Sequence, residues 1–449
     1  MGAHVSHLAR SLTIVNATAM VAGTIIGASI FVQPSEIARH LDTPSQIMLV
    51  WATCGILTLF GALVCAELSS AFPQTGGLYV FMRDTFSPLA GFLWGWAMFW
   101  TMHTGIIAAI AVVFARYTAH FVPVGDAGVR AIAVVVIVAV SALNYFGVRA
   151  GSRVQTALTI AKLIAITAIV IAGFALVGFT TPPAPPPPEF TAGTFPGKVP
   201  AVFSGSSFLL AMVAGLFAYG GWHMVTYTAG ETVMPTRTIP LALLAGVGIV
   251  TVCYIALNLV YLAVLPLDAV RSSTRIAADA ADALVGRGGA SFLAALVIVS
   301  SLGGLTGIVL TGPRVYYSMA QDGLAFRWLG AVHPVHRTPA HAIIAQGVWA
   351  SVLAATGAYR QLFTRVIYTE WLFFALMAAG LFILRRRPGY APAYRTWGYP
   401  FVPIIFIVAS LTIVVNQLIS DPKDAMLGLG MVAIGAPIYY LWHANRRLP

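Results

Sequence analysis

Charged residues are scarce in this sequence. Only 9% of the 449 residues are Asp, Glu, Lys or Arg, and 59% are hydrophobic, whereas an ordinary soluble domain carries about 25% charged residues. A membrane-spanning helix needs about 20 consecutive, mainly apolar residues, and the chain contains about twelve segments of this kind. The composition therefore excludes an ordinary soluble domain and predicts a polytopic membrane protein.

Cysteines and metal-binding patterns are also scarce. Cys54, Cys65 and Cys253 all lie within apolar segments, where we expect them to pack as reduced thiols. No histidine or cysteine spacing typical of a metal site occurs, so we predict neither a metal nor a cofactor. No cleavable signal peptide is evident, because the first apolar segment is long and lacks a small-residue cleavage site.

The positive charge is spread over short loops. The formal net charge is +11, but the basic residues flank apolar segments and form no patch, so we predict no nucleic-acid partner. Basic residues next to membrane-spanning helices set the orientation of the chain. The densest run, Arg385-Arg386-Arg387, directly follows an apolar segment. Placing this run inside predicts a protein of the cell membrane with both termini in the cytoplasm.

Two glycine-containing stretches within apolar segments predict interrupted helices. The stretches are GTIIGASIF at residues 23–31 and FAYGGW at residues 217–222. Glycine costs about 1 kcal/mol in a helix interior, and an opened helix leaves N–H groups on one half and carbonyls on the other. These groups suit the carboxylate and the ammonium of an α-amino acid. Paired interruptions in corresponding halves of a chain indicate a transporter site, although small residues also serve close helix packing.

The order of the segments predicts an all-α integral membrane protein with about twelve transmembrane helices, in a five-plus-five inverted repeat with helices 1 and 6 broken. We expect one transporter domain over residues 1–449. Its predicted parts are a five-helix repeat at 12–180, a proline-rich extracellular linker at 181–205, a second repeat at 206–385 and helices 11 and 12 at 400–443. The loop 266–289, with Asp279 and Asp282, is expected to be solvated.

The two interrupted segments resemble the first-helix and sixth-helix motifs of the amino acid–polyamine–organocation superfamily, in its L-type amino acid transporter branch. Most of the chain shares the resemblance. Further matching stretches are residues 51–55, 61–63, 66–68, 73–79, 230–240, 312–314, 322–323 and 333–334. The resemblance implies alternating-access transport of neutral L-amino acids by a permease, most simply sodium-independent exchange.

The resemblance also implies roles for individual positions. Carboxylate binding falls on the N–H groups of Gly27, Ala28 and Ser29, and ammonium binding on the carbonyls of Ile25, Phe217 and Gly220. Phe217 matches an aromatic residue that closes over the substrate, and Trp222 is expected to assist gating. The family usually has Gly-Ser-Gly where this chain has Gly27-Ala28-Ser29, and this departure puts the identity of the substrate in doubt.

Lys162 lies inside the fifth apolar segment. An intramembrane cation is costly and suggests a functional role. The resemblance implies that a lysine here stands in for a sodium ion beside the first and eighth helices; the alternative is a side chain that snorkels toward an interface. Glu67 and Glu231 are expected to form caps or gate pairs. Glu370 is a candidate for proton binding or for solvated pairing with a nearby arginine, and His223 is a candidate for titration near neutral pH or for ordinary packing with a hydrogen bond.

The expected partners are an amino acid substrate and membrane lipid. Eukaryotic members of this branch bind a heavy chain through a cysteine between the third and fourth helices. The corresponding loop here, about Phe121–Gly128, has no cysteine, so we predict no disulfide-linked heavy chain.

Three other functions remain as alternatives. A proton-coupled amino acid or amine symporter would share the fold. An integral membrane enzyme would need a converging polar cluster, and a channel would need a pore ring. We see no pattern for either of the last two, and we predict that the protein is not an enzyme.

Overall fold

The computed structural model describes residues 8–27, 29–177, 204–273, 276–285, 289–357 and 359–444. Within these ranges the regular elements are helical, and the only extended pairing is an isolated parallel bridge between Leu12 and Thr232. The all-α prediction is therefore confirmed for the described chain. Of the proline-rich linker at 181–205, all but the last two residues lie outside these ranges.

The first part of the chain contains eight α-helices. Their bounds are α1 Ile14–Ile25, α2 Gln33–Arg39, α3 Pro44–Ala71, α4 Leu78–Thr85, α5 Pro88–Ala97, α6 His103–Thr118, α7 Asp126–Tyr145 and α8 Val148–Val177. A π-helical stretch, Met98–Met102, joins α5 to α6. A short 3-10 helix, Ser29–Phe31, lies between α1 and α2.

The second part contains eleven more α-helices. Their bounds are α9 Gly205–Ala218, α10 Pro235–Val264, α11 Leu267–Ser272, α12 Ile276–Val285, α13 Gly289–Thr311, α14 Pro313–Gln321, α15 Ala340–Thr356, α16 Tyr359–Leu384, α17 Phe401–Ser420, α18 Pro422–Ala433 and α19 Gly435–Ala444. Two 3-10 helices, Trp222–Glu231 and Arg327–Gly330, lie between them.

Nine helical segments of the described chain are long and apolar enough to cross a membrane. Three shorter apolar helices are Ile14–Ile25, Ala340–Thr356 and Tyr368–Leu384. The protein is therefore a multi-pass membrane protein, as the composition predicts. The number of twelve spanning helices and the inverted repeat stay predictions.

Both predicted interruptions are present. Helix α1 ends at Ile25 and α2 begins at Gln33, while α9 ends at Ala218 and the next helical stretch begins at Trp222. Gly221 has a φ of +97°, a left-handed conformation that glycine adopts without the cost that a side chain would bring. The segment after the second break is a 3-10 helix, which the apolar pattern did not predict.

The prediction of a solvated loop at 266–289 is wrong. This stretch contains α11 and α12, and the first residues of α12, Ile276 and Ala277, are almost completely buried. Helix α12 packs against α13. The acidic residues suggested solvation, but they occupy one side of a short helix whose small apolar residues face the core.

The two breaks lie within the packed centre of the molecule. Helix α1 packs against α8, α10 and α13, and α10 also packs along α3. In this core the ring of Trp51 meets Tyr254 edge-on, with centroids 5.4 Å apart. The helices around α1 therefore fix both its broken end and the side chains that contact that end.

Candidate functional site

Side chains from α1 and α10 hold the two breaks together. The Tyr254 hydroxyl lies 3.0 Å from the carbonyl oxygen of Ile25 and 3.1 Å from that of Ala218. The Thr24 hydroxyl lies 3.2 Å from the carbonyl oxygen of Gly221. The carbonyls of Ile25 and Ala218 are at the C-terminal ends of α1 and α9, where intrahelical donors are lacking. The chain thus joins the first break to the second through two hydroxyl groups.

Lys162 supplies a buried cation at the end of α1. Its Nζ donates hydrogen bonds to the carbonyl oxygen of Gly23, at 2.9 Å, and to that of Ile26. The side chain is completely buried. The C-terminal end of a helix carries partial negative charge, which favours a cation. Lys162 therefore contacts the broken helix directly and does not reach toward an interface.

Ser300 reaches the same break from α13. Its hydroxyl lies 3.2 Å from the carbonyl oxygens of both Ile26 and Gly27. The backbone of Gly303, one turn later in α13, also lies beside Lys162. Helices α8 and α13 therefore contribute complementary donors to the carbonyls that the break leaves without intrahelical partners.

Two backbone groups of the first break that are predicted to bind the substrate form a hydrogen bond with each other. The N–H of Gly27 donates to the carbonyl oxygen of Ile25 at 2.8 Å. Among the described residues, no atom lies within 4 Å of the position that a β-carbon of Gly27 would take, so the space beside it is open. Ser29 begins the short 3-10 helix. Ala28 lies outside the described residues.

At the second break, Phe217 and Gly220 lie on one turn. The N–H of Gly220 donates to the carbonyl oxygen of Phe217 at 3.1 Å. The Phe217 side chain is 38% exposed, despite its position at the end of a packed helix. An accessible aromatic side chain next to the break is suited to moving over a bound molecule.

Trp222 has a different environment from Phe217. It is 1% exposed, and its ring packs against Phe374, at 5.1 Å between centroids, and Phe406, at 6.4 Å. Its indole also lies close to the backbone of Gly61. Trp222 is thus part of the packed core behind the break, and its gating role rests on the sequence alone.

Sequence reasoning assigned no role to Tyr254 or Ser300. Both lie within long apolar helices that contain other polar residues, and each bonds to backbone carbonyls of the first break. The sequence feature that could have indicated them is a hydroxyl group within a membrane-spanning segment. Many such hydroxyl groups, however, bond only within their own helix. Thr58 is an example, because its hydroxyl bonds to the carbonyl oxygen of Cys54 one turn earlier.

Two of the three buried acids singled out from the sequence form ion pairs with arginine. Glu231 accepts from Arg314 at 2.8 and 3.0 Å, and both side chains are buried. Glu67 accepts from Arg385 at 2.9 and 2.6 Å. These contacts agree with the interpretation of Glu67 and Glu231 as structural or gate pairs. Glu370 is 3.5 Å from His223 instead.

A further polar network joins α4 to the end of α14. The Tyr79 hydroxyl donates to Asp322 at 2.6 Å, and Arg83 pairs with both Asp84 and Asp322. The hydrogen bond to Asp84 and the negative charge of Asp322 raise the pKa of the Arg83 guanidinium, so it stays charged. Arg83 also donates to the side-chain oxygen of Gln74 at 3.2 Å, so this network connects the stretch 71–77 to the second half of the chain.

An apolar groove of about 620 Å³ lies elsewhere, between α7 and α15. None of the residues of the two breaks lines it. Val138 and Val348 on its walls are more than half exposed, as expected for side chains that face lipid. Among the described residues, no cluster of three or more His, Cys, Asp or Glu side chains has the geometry to hold a metal ion.

The sequence profile of a family described as amino acid permease matches residues 12–441. The serine/threonine exchanger SteT of Bacillus subtilis is 32% identical over 437 residues, covering 96% of this chain and 97% of that protein. The human b(0,+)-type amino acid transporter 1 is 28% identical, covering 96% and 88%. The human cystine/glutamate transporter is also 28% identical, covering 97% and 85%.

These similarities extend over nearly the whole chain, including both breaks. They confirm the resemblance that the motifs at residues 23–31 and 217–222 indicate, and they exclude an enzyme as the family's function. The chain belongs to the amino acid permease family, within the L-type branch of the amino acid–polyamine–organocation superfamily.

Proposed function

We propose that this protein is a secondary active transporter that exchanges neutral L-amino acids across the cell membrane, without sodium, by alternating access. The observation that carries the proposal is the pair of adjacent helix breaks, bridged by Tyr254 between the carbonyls of Ile25 and Ala218. Breaks of this kind offer backbone donors and acceptors at membrane depth. Relatives described as exchangers and amino acid transporters support the same reading.

The substrate binds by its α-carboxylate and α-ammonium groups. The carboxylate is received by the N–H groups of the first break, at Gly27, Ala28 and Ser29. The ammonium is received by the carbonyls of Ile25, Phe217 and Gly220. The Gly27 N–H and the Ile25 carbonyl bond to each other in the structure. When the substrate binds, both groups bond to the substrate instead, so neither is left without a hydrogen-bond partner.

Lys162 takes the place of a coupling sodium ion. Its Nζ contacts the Gly23 and Ile26 carbonyls, and Ser300 donates to the same end of α1. A sodium ion here would need the carbonyl oxygens that the Lys162 ammonium group already contacts. The ammonium group supplies the positive charge in place of the ion. A fixed cation supports the break in every state of the cycle, and this favours sodium-independent transport.

Phe217 closes over the bound substrate, and Trp222 supports the closed state from the core side. The Phe217 ring is 38% exposed, whereas Trp222 is 1% exposed and packed in the core. Because the two residues flank the Gly220-Gly221 turn, a change in that turn would reorient one relative to the other. Gly220 and Gly221 accommodate the change at low conformational cost.

The architecture that goes with this function has twelve transmembrane helices and both termini in the cytoplasm. Residues 12–180 and 206–385 form the two inverted five-helix repeats of one transporter domain, 181–205 link them outside the membrane, and 400–443 supply the last two helices. The protein works without a disulfide-linked heavy chain, because the loop after α6 contains no cysteine. Its apolar surface is in contact with membrane lipid.

Proton-coupled symport is a second candidate. The observation that favours it is the buried contact of 3.5 Å between Glu370 and His223, close to the second break. A sodium-free transporter needs another driving ion unless it exchanges substrates. Exchange and symport share the same site and differ in whether the transport cycle moves protons across the membrane in net amount.

Ligand competition on the purified protein tests the substrate site. A radiolabelled neutral L-amino acid is bound, then displaced by its decarboxylated amine and by its deaminated acid. We expect both analogues to bind about 100-fold more weakly than the amino acid, because each loses charge-assisted hydrogen bonds worth about 1.5–3 kcal/mol apiece. Displacement by the amine at the same concentration as the amino acid would exclude the proposed carboxylate site.

A further inference from the structure

Glu370 has an unusual environment for a buried acid. In the described part of the chain, its only ion-pair partner within 4.0 Å is His223, at 3.5 Å between Oε1 and Nε2. Glu67 and Glu231, in contrast, each have an arginine. A carboxylate inside the membrane is costly unless a positive charge or a proton neutralises it. The described residues around Glu370 supply no permanent cation, so a proton is the species that fits.

His223 is completely buried, and neither ring nitrogen makes a hydrogen bond to a described residue. The hydroxyl of Tyr227 and the indole N–H of Trp94 are also buried and interact with each other, and both rings lie within 6 Å of His223. Buried polar groups normally have hydrogen-bond partners in protein or in ordered water. Several such groups around one carboxyl therefore form a place where a proton and water can be held.

Other titratable groups face this pair from neighbouring elements. His103 from α6 and Tyr227 from the 3-10 helix face the pair, and Tyr316 from α14 and Cys65 from α3 lie near Tyr227. His103 contacts Tyr316, with 3.3 Å between Nδ1 and the hydroxyl. None of these groups carries a permanent positive charge, so they do not replace a proton at Glu370.

The pair lies beside the second break of the substrate site. His223 is three residues after Gly220, and Phe374, one turn after Glu370 in α16, packs against His223 at 4.9 Å and Trp222 at 5.1 Å. The Glu370 side chain retains 9% exposure, whereas His223 has none. Glu370 thus lies at the edge of the core, where rearrangement of the break would change its access to water.

We propose that Glu370 and His223 form a proton-binding site whose occupancy is linked to amino acid binding. With one bound proton the pair is neutral overall, whether the proton resides on the carboxyl oxygen or on the imidazole nitrogen. Without it the pair has a charge of −1. Closing the break over a substrate removes water from Glu370 and favours the neutral form, so substrate binding is accompanied by uptake of one proton from water.

The inference rests on the proposed function, because it requires an amino acid to bind at the breaks. It does not require net proton transport, since an exchanger carries the proton in both directions. Linkage is reciprocal. If one proton is taken up per substrate bound, the affinity for the amino acid falls as pH rises, by up to tenfold per pH unit.

Two measurements on the purified protein test the site. The first is the Kd of a neutral L-amino acid from pH 5 to pH 9. For the wild type we expect a region in which Kd rises about tenfold per pH unit, and for Glu370→Gln we expect a Kd that changes by less than about twofold. Glu36→Gln, the same substitution at an exposed residue, should keep the wild-type slope.

The second measurement compares the wild type with Glu370→Gln. Substrate is added to wild-type protein in weakly buffered solution, and a pH indicator reports about one proton taken up per amino acid bound. Amino acid binding with a pH-independent Kd and no proton uptake would overturn the proton site while leaving the proposed function intact. Proton uptake retained by Glu370→Gln would also overturn it, and absence of amino acid binding at every pH would overturn both proposals.

Discussion

Lys162 shows how a single side chain can stabilise a broken helix. Its ammonium group is completely buried, yet it contacts the carbonyls of Gly23 and Ile26. These carbonyls are close to the end of α1, so the positive charge meets the negative end of the helix dipole. The cost of burying the lysine is offset only while the break keeps its shape.

Replacing Lys162 with alanine is expected to reduce transport at least tenfold. The variant loses hydrogen bonds from a charged donor, worth about 1.5–3 kcal/mol each, and 1.4 kcal/mol already corresponds to a factor of ten. The rate of amino acid exchange in proteoliposomes measures the effect. Lys423→Ala, at an exposed position, is the matched control, and wild-type exchange by a well-folded Lys162→Ala protein would exclude the role.

Tyr254→Phe tests the bridge between the two breaks. The substitution removes one hydroxyl that contacts the carbonyls of Ile25 and Ala218, and it keeps the ring that packs on Trp51. A net loss of about 1 kcal/mol predicts amino acid binding weaker by about fivefold, measured as Kd. Tyr440→Phe, on the exposed surface, should not change Kd, and an unchanged Kd in Tyr254→Phe would contradict the bridging role.

At the residue scale, the sequence predicted unusual residues within the apolar segments, but it did not predict the hydroxyl groups that other helices direct at the breaks. Gly27, Phe217 and Lys162 stand out because glycine, an aromatic neighbour of glycine and an intramembrane cation are unusual in their segments. Tyr254 and Ser300 do not stand out, because the direction of a hydroxyl depends on helix packing. Periodicity alone contains no information about which neighbouring carbonyl it reaches.

The 3-10 helix after the second break is a distinct structural element with its own anchor. It runs from Trp222 to Glu231, and its last residue pairs with Arg314 of α14. The backbone carbonyl of Glu231 also accepts hydrogen bonds from the N–H groups of Ser11 and Leu12. One residue thus connects the segment before α1, the second broken helix and α14.

Breaking this anchor is expected to destabilise the protein. In Glu231→Gln the guanidinium of Arg314 stays buried without its counter-charge, and removing one partner of a buried pair costs about 3–5 kcal/mol. The midpoint of thermal unfolding in detergent should fall by several degrees. Glu36→Gln breaks an exposed pair with Arg39 and should leave the midpoint almost unchanged; equal midpoints for both variants would contradict the anchor.

Phe217→Ala separates gating from stability. Because the ring is 38% exposed, its loss should change the unfolding midpoint little, whereas transport should fall about tenfold if the ring closes the site. Phe292→Ala, at an exposed phenylalanine of α13, controls for the loss of a surface aromatic. Wild-type turnover by Phe217→Ala would show that another group forms the gate.

At the element scale, prediction succeeded for long apolar helices and failed for short ones. Nine helical segments of the described chain are long and apolar enough to cross a membrane. Helices α11 and α12 were expected to be a loop, because their lengths and acidic residues gave little apolar signal. The π-helical stretch Met98–Met102 and the 3-10 character after Gly221 depend on backbone hydrogen bonding that residue composition does not specify.

At the scale of the whole molecule, the family match identifies the function more closely than the local sequence patterns do. The interruptions at residues 23–31 and 217–222 predict a site between two halves, and the match over residues 12–441 identifies the protein as an amino acid permease. Exchange and proton coupling use the same helices, so neither the apolar pattern nor the static site distinguishes them. That distinction depends on what accompanies the substrate during a full transport cycle.

Uptake of a radiolabelled neutral L-amino acid into proteoliposomes tests the central claim most directly. Vesicles are prepared with or without unlabelled amino acid inside, and each set is run without sodium, with or without an inwardly directed proton gradient. We predict rapid uptake only into preloaded vesicles, at a rate that does not require sodium or the gradient. Uptake into empty vesicles that depends on the proton gradient, or no uptake under any condition, would contradict exchange as the function.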